Sequence, residues 1–392
     1  MQKLNIGLFG FGVVGEGIYN VLEEKSQLNA KIKKIVIKDP LKVRNAPENL
    51  FSTEAKTILE DDDINVVVEL ISDSDAAYEI IKKAFENGKH VISANKKVIA
   101  EHHEEFLELQ QKNKVSFLYE ASVCGSVPII RNLEEYFDND LLNYVSGIVN
   151  GTTNYILTEM ATEGESYDNA LKSAQESGFA EADPTADVEG IDAANKLAII
   201  TLHAFGIKIE TTDIIRKGIT SLKTNDFKYA KEKGYTIKLI AHTKYIGESD
   251  EIISTVLPTF VKLDKTIALV NNEYNGVLIG SSLSDEQFLY GKGAGRYPTA
   301  SAVLSDISAL QYDYKYSIRK KLDKRLNINQ SGKLKVYLGY ENEYSDVQDF
   351  FENIDERYQS NSYNHIIGTI SIDRLKDQRL LNDKRISLIV FE

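Results

Sequence analysis

The chain has 392 residues, 42% of them hydrophobic, which is enough for two or three domains with sizeable cores. Its 59 acidic side chains outnumber the 46 basic ones, a formal charge of −13 that opposes non-specific binding to nucleic acid or to an anionic membrane. The single cysteine, Cys124, excludes an internal disulfide framework and a cysteine-ligated zinc site. No run approaches the roughly eighteen apolar residues of a membrane span, and the N-terminus lacks the regions of a signal peptide. A cytoplasmic protein without nucleic-acid or membrane partners is expected.

Residues 3–9 read as a short buried strand. Gly10-Phe11-Gly12-Val13-Val14-Gly15 follows at once, and an amphipathic run, Gly17 to Lys25, comes next. This is G-x-G-x-x-G between a strand and a helix. Gly10 allows the tight turn, Gly12 leaves room for a pyrophosphate, and Gly15 lets the helix lie close to the strand. The helix N-terminus offers unpaired N–H groups to an anion. The reading is dinucleotide binding. A second strand, 34–37, ends at Lys38-Asp39-Pro40, where an adenosine ribose would sit. Asp39 favours NAD, through ribose hydroxyls; Lys38 and Arg44 favour NADP, through a 2′-phosphate. Strands at 64–71, 89–93 and 115–119 alternate with helices over about 75–87 and 101–113. That alternation predicts a doubly wound parallel sheet. Ser72, Lys96 and Glu120 fall at carboxyl ends of strands, where such sheets bind ligands.

Glu120 to Pro128 leaves the last strand as an irregular turn. One carboxylate with several carbonyls can make an oxygen-ligand cation site; a tight connection is the plainer reading. A helix to about 137 follows, then a strand at 144–149 and a turn, Asn150 to Asn154, into a helix. Next comes GFAEADPTADVEGIDAANK, residues 178–196, with carboxylates at Glu181, Asp183, Asp187, Glu189 and Asp192. Gly178 and Pro184 keep its first half irregular. Its second half is helical, and Asp192 and Lys196 share one face. Alone, such a cluster reads as a solvated acidic loop. His203 reads as a core histidine. Strand-like runs over 234–283 suggest a largely antiparallel sheet. Gly291 to Thr299 is a second glycine-rich loop opening a helix from Ala300 to about Gln311, either a hinge or a loop that closes over a nucleotide.

In this order, Gly10 to Gly15, Ala94-Asn95-Lys96, Glu120 to Pro128, NGTTNYIL at 150–157, GFAEADPTADVEGIDAANKL at 178–197 and GKGAGRYPTASAVLSDI at 291–307 resemble homoserine dehydrogenase over roughly residues 1–315. The resemblance implies an NAD(P)-dependent oxidoreductase interconverting L-homoserine and L-aspartate 4-semialdehyde, in threonine, methionine and isoleucine biosynthesis. It implies NADP or NAD as cofactor, with a slight preference for NADP. It makes Lys196 the general acid/base, with Asp192 beside it. Glu181 and Asp192 would hold the substrate's hydroxyl and ammonium, and Asp187 would support them. Cofactor contacts would come from Gly10, Phe11, Gly12, Val13, Val14, Gly15, Lys38, Ser72, Lys96, Gly178 and Gly293. Glu120 with the carbonyls of Val123, Gly125 and Val127 would hold a structural monovalent cation such as sodium. A homodimer or larger homo-oligomer is implied. Two departures stand out. Ser72-Asp73-Ser74-Asp75 replaces glycines usual in the family, and Lys38 stands where arginine is frequent. A related dehydrogenase of another amino-acid aldehyde, or a non-catalytic nucleotide sensor, is the alternative.

The tail begins with a basic linker-like helix at 317–326. A strand at 333–339, a helix at 345–358 and strands at 365–372 and 385–391 then follow. This βαββ order resembles a shortened ACT-type regulatory module, with a dimerisation module as an equal alternative. The expected fold is α/β: a Rossmann-type doubly wound parallel sheet, an α+β catalytic and dimerisation domain, and a small βαββ C-terminal module. Expected boundaries are 1–130 for the nucleotide-binding domain, 131–300 for the catalytic and dimerisation domain, 301–316 for a helix returning to the nucleotide domain, and 327–392 for the C-terminal module.

Overall fold

A computed structural model describes residues 3–24, 28–138, 141–245, 251–316, 332–341 and 347–392. The basic helix expected at 317–326 lies outside the described residues. The chain divides into two compact units, residues 1–138 with 292–319, and residues 139–291 with 320–392.

The first unit opens with β1 (Leu4–Phe9), α1 (Val13–Glu24), β2 (Ala30–Val36), β3 (Phe51–Ser52) and β4 (Val66–Glu69). It continues with α2 (Ser74–Glu86), β5 (His90–Ser93), α3 (Lys96–Asn113) and β6 (Phe117–Leu118). Among the described residues these strands form one parallel sheet in the order β3-β2-β1-β4-β5-β6. Every residue of β4 is buried, as expected of a strand covered on both faces. Strand order reverses between β1 and β4, which opens a crevice at their carboxyl ends. Asp73 caps α2, its carboxylate accepting from the Ala76 N–H at 3.1 Å.

The second unit runs through β7 (Leu142–Ile148), α4 (Gly151–Thr162), α5 (Tyr167–Glu176), α6 (Ile191–Phe205), β8 (Ile215–Arg216), β9 (Tyr235–Tyr245), β10 (Ile252–Lys262), β11 (Tyr274–Ser281) and β12 (Asp285–Lys292). The chain then returns to the first unit as α7 (Arg296–Leu310). There the Arg296 guanidinium pairs with Glu16 of α1 at 2.8 Å, and Gly17 admits the arginine stem. The tail adds β13 (Lys333–Tyr340), β14 (Asn353–Tyr358), β15 (Asn364–Ser371), α8 (Gln378–Asn382) and β16 (Ile386–Phe391). The second unit's sheet has the order β12-β11-β7-β9-β10-β16-β13-β15-β14, with β8 paired to β10. Its helix α6 is buried along almost its whole length, and His203 lies in that core.

The tail corrects one expectation. The helix expected at 345–358 is, among the described residues, one 3-10 turn at Val347–Phe350 followed by strand β14. The order is therefore not βαββ. Four strands are present among the described residues, in the order β16-β13-β15-β14, with short helices between β15 and β16. Apolar spacing at Val347, Phe350, Phe351 and Ile354 suits a helix, but backbone pairing wins. Gly368 of β15 lets the Asn353 carbonyl approach so closely that a Cβ there would lie 2.1 Å from it. Pairing with β15 places β14 as a mostly exposed edge strand.

Candidate active site

In the second unit the acidic segment is shaped by its glycines. Gly178 takes φ 76° past the end of α5, where the N–H groups of Phe179 and Ala180 donate to the Ala174 carbonyl at 2.8 and 3.1 Å. The Asp183 carboxylate accepts from the Thr185 N–H at 3.1 Å, and one helical turn spans Thr185–Val188. Gly190, with φ 73°, then opens α6. Asp192 thus lies in the first turn of α6, where the helix dipole favours a carboxylate. Lys196, one turn on, donates its ammonium to Asp192 Oδ2 at 2.8 Å and to the Val149 carbonyl at 2.7 Å. The two residues are 4% and 9% exposed, so this is not the surface pair that an isolated cluster suggests.

Asn150 completes the group, although it is not among the residues expected there. Its Oδ1 accepts from the Thr153 N–H at 2.8 Å, capping α4. That leaves both amide hydrogens free to bridge two carboxylates. Nδ2 donates to Asp192 Oδ2 at 2.9 Å and to Asp187 Oδ1 at 2.7 Å. The signal was present: an asparagine at a strand end, three residues before a threonine, is an N-cap with a spare amide. Glu181 is exposed, and its side chain has no hydrogen bond or ion pair among the described residues. Asp187, Asp192 and Lys196 therefore cluster around Asn150, with Glu181 on a more exposed part of the same segment. A cluster with two carboxylates and one ammonium suits a small cation that carries a hydroxyl.

In the first unit the glycine loop fits a dinucleotide. Gly10 has φ 94°. A Cβ on Gly15 would lie 2.5 Å from the Gly10 carbonyl, so the turn closes only on glycine. A Cβ on Gly12 would meet nothing within 4 Å, so that face is open where a pyrophosphate would approach. Phe11 is buried, and α1 begins at Val13 and runs through Val14 and Gly15. At the far end of β2, Lys38 is exposed, and Asp39 Oδ1 accepts from the Leu41 N–H at 2.9 Å. Lys42 and Arg44 line a cavity there, with the Arg44 guanidinium 5.8 Å from the Phe51 ring centre. Ser72 is exposed ahead of α2. Lys96 is half-buried as the first residue of α3, whose cap Asn95 accepts from the Val98 N–H at 3.3 Å.

Buried Glu69, at the end of β4, ties these strand ends together. Its Oε1 accepts from the Ile71 N–H at 2.7 Å and its Oε2 from the Ser93 hydroxyl at 2.6 Å. Ser93 Oγ in turn accepts from the Asn95 N–H at 3.1 Å. Burial pushes Glu69 up to about 7, against the lowering effect of those hydrogen bonds.

The suggested cation residues also belong to the first unit. Glu120 is buried, its two oxygens accepting from the N–H groups of Ile130 and Arg131 at 2.9 and 2.8 Å. Its own N–H donates to Asp306 at 3.0 Å, and Asp306 pairs with the Arg131 guanidinium at 2.9 Å. Burial first pushes Glu120 up to about 7; burial and then the Glu120 charge push Asp306 up to about 8. Two buried carboxylates beside one guanidinium suit an added positive charge. Val123, Gly125 and Val127 are buried, and Gly125 lies against Gly293, whose carbonyl would be 2.5 Å from a Cβ. The Val127 carbonyl accepts from the Ile129 N–H at 2.9 Å. An all-oxygen set of this kind fits a hard cation. No group of three or more His, Cys, Asp or Glu suited to a metal occurs among the described residues, and no helix among them is long and apolar enough to cross a membrane.

The family profile described as "Homoserine dehydrogenase" matches residues 128–308, and "Homoserine dehydrogenase, NAD binding domain" matches residues 10–120. A homoserine dehydrogenase of Bacillus subtilis is 36% identical over 327 residues, covering 81% of this chain and 75% of that protein. The crystal structure of a homoserine dehydrogenase from Thiobacillus denitrificans superimposes with a TM-score of 0.87 at 30% identity, covering 100% of this chain and 98% of that one. A hyperthermophilic archaeal homoserine dehydrogenase in complex with NADPH aligns with a TM-score of 0.67 at 25% identity, over 80% of this chain and 99% of that one.

The Glu69 carboxyl carries a test of the nucleotide unit. A carboxyl whose pKa rises on folding stabilises the fold while protonated. That contribution is complete below the unfolded value of 4.5 and is lost as pH rises through about 7. The thermal midpoint should therefore fall between about pH 5 and pH 7.5 more steeply than in Glu69→Gln, by up to about 1.4 kcal/mol of stability per pH unit. Equal slopes in the two proteins would contradict the assignment.

Proposed function

The chain belongs to the homoserine dehydrogenase family, and from that premise we propose how its residues interconvert L-homoserine and L-aspartate 4-semialdehyde. It is an oxidoreductase acting on a CH–OH group with a nicotinamide cofactor. The observation that carries the proposal is the buried Lys196–Asp192 pair, held by Val149 and Asn150. When bound, the nicotinamide supplies the hydride for aldehyde reduction and accepts it in the reverse direction. The protein must then manage one proton at the substrate oxygen. An ammonium has three N–H bonds. Two of those on Lys196 go to Val149 and Asp192, and the third is assigned to the substrate oxygen. In reduction Lys196 gives this proton to the alkoxide as it forms. In oxidation the neutral amine takes the hydroxyl proton as the C–H bond breaks.

Asp192 and Glu181 are assigned to the substrate's hydroxyl and ammonium, and Asp187 to the support of that wall through Asn150. The exposed, unengaged carboxylate of Glu181 supports this role. Gly10, Phe11, Gly12, Val13, Val14 and Gly15 are assigned to the pyrophosphate. Lys38 goes to the adenosine end, and Ser72, Lys96, Gly178 and Gly293 go to the nicotinamide side. NADP is preferred over NAD in this reading, because one Asp39 oxygen is engaged by its own turn while Lys42 and Arg44 line a cavity nearby and Lys38 is exposed. Glu120 with the carbonyls of Val123, Gly125 and Val127 is assigned a structural monovalent cation. The second unit is assigned self-association into a homodimer or larger homo-oligomer. An apolar concavity on its sheet, lined by Ile240, Ile253, Leu334, Val390 and Phe391, supports this.

Purified protein should reduce NADP, and less efficiently NAD, in a homoserine-dependent way. Folded protein without such turnover on either cofactor would leave only a nucleotide-binding role. In Lys196→Ala, kcat should fall by roughly a hundredfold or more while nucleotide affinity holds. Unchanged turnover at saturation would show that another group moves the proton. Asn150→Ala should lower kcat/KM for homoserine by about tenfold or more, since two carboxylates lose their shared donor. Kinetics matching the wild type would remove Asn150 from the site.

A further inference from the structure

A short strap separates the acidic segment from the C-terminal tail. Strand β8 pairs in parallel with β10, and the Lys217 N–H donates to the Val256 carbonyl at 3.0 Å before the chain leaves the sheet. Lys217 is 4% exposed, and its ammonium has no carboxylate within ion-pair distance among the described residues. It donates instead to the carbonyls of Leu380, Asp383 and Leu381 at 2.7, 3.1 and 3.3 Å. These carbonyls close the last turn of α8, where a helix lacks internal partners and favours a cation. The Ser387 hydroxyl of β16 adds a bond to the Ser221 carbonyl at 2.7 Å. Ile215 shares an apolar cluster with Leu380, Leu388 and Val390. One side of the strap is therefore fastened to the tail.

Its other side is fastened to the turn at 188–190. Arg216 donates to the Glu189 carbonyl, and the Thr220 hydroxyl to Glu189 Oε1 at 3.0 Å. The Ile219 N–H donates to the Val188 carbonyl at 2.8 Å. A Cβ on Gly218 would lie 2.2 Å from that carbonyl, so the two backbones touch. Lys384, just beyond α8, reaches Glu189 Oε1 at 3.7 Å. Asp187 precedes this turn and Asp192 follows it; Asn150 bridges both.

We propose that Lys217 is a positioning residue for the substrate wall. It anchors the strap 217–222 to the C-terminal tail, and the strap sets the turn that spaces Asp187 from Asp192. The proposal rests on the assignment of Asp192 to substrate and of Asp187 to its support. Thr220 and Glu189 pass the constraint on. Without the anchor the turn gains freedom, and substrate binding must then order it.

Three full-length variants test this: Lys217→Met, Lys217→Arg and Thr220→Val. Lys217→Met and Thr220→Val should each raise KM for homoserine about tenfold, with kcat within about threefold and KM for NADP within about twofold. Lys217→Arg should recover most of the loss. The double variant should resemble Lys217→Met alone, because both changes cut one path. Amide hydrogen exchange over 185–192, measured without substrate, should quicken about tenfold in both single variants, a readout that stands even if homoserine is not the substrate. The proposal is overturned if exchange over 185–192 matches the wild type in folded Thr220→Val. It is equally overturned if the kinetic effects of the two changes multiply, or if kcat and both KM values change together. Should Lys217→Met fail to fold, Thr220→Val decides alone.

Discussion

Everything in the second unit's site follows from burying one ion pair. Taking Asp192 and Lys196 out of water costs several kcal/mol per charge, and attraction between them offsets this only when their remaining lone pairs and protons find partners. Those partners come from the end of β7. The strand stops at Ile148, so the Val149 carbonyl is free to accept the ammonium and Asn150 is free to cap α4. Asn150 spends its oxygen on the cap and its amide on Asp187 and Asp192. One residue therefore sets the start of a helix and the spacing of two carboxylates. Moving α6 by a single position would turn Asp192 away from Asn150 and Lys196 away from the Val149 carbonyl, leaving the buried pair short of hydrogen-bond partners.

The nucleotide unit obeys a different constraint, the close approach of backbones. Gly10 and Gly15 are needed because the turn and α1 pack carbonyl against Cα, whereas a Cβ on Gly12 would meet nothing within 4 Å and that face is open. Glu69, Ser93 and Asn95 then link the ends of β4 and β5 to the start of α3, where Lys96 is the first residue. Asp73 serves as the cap of α2.

Periodicity and glycine placement made most of the architecture legible in advance. The parallel sheet, its glycine loop and the helix carrying Lys196 all follow from local pattern. The pairing of Asp192 with Lys196 was legible too, because four residues on a helix fix a shared face. Its burial was not, since that depends on a strand contributed from 142–148. Asn150 was hidden for the same reason: its partners at 187 and 192 are far away in sequence. The tail misled because the apolar spacing of 347–354 suits a helix, while the deciding fact, Gly368 on a neighbouring strand, is long-range. The strap at 217–222 carries no motif at all; only its contacts on both sides give it meaning.

In the proposed mechanism the Lys196 amine itself moves the proton. This is tested most directly by chemical rescue of Lys196→Ala with small primary amines during homoserine oxidation. The account predicts turnover that rises with amine concentration and falls for amines too bulky to replace the missing side chain. Absence of rescue in a variant that still binds NADP and homoserine, or a variant that needs no rescue, would contradict it.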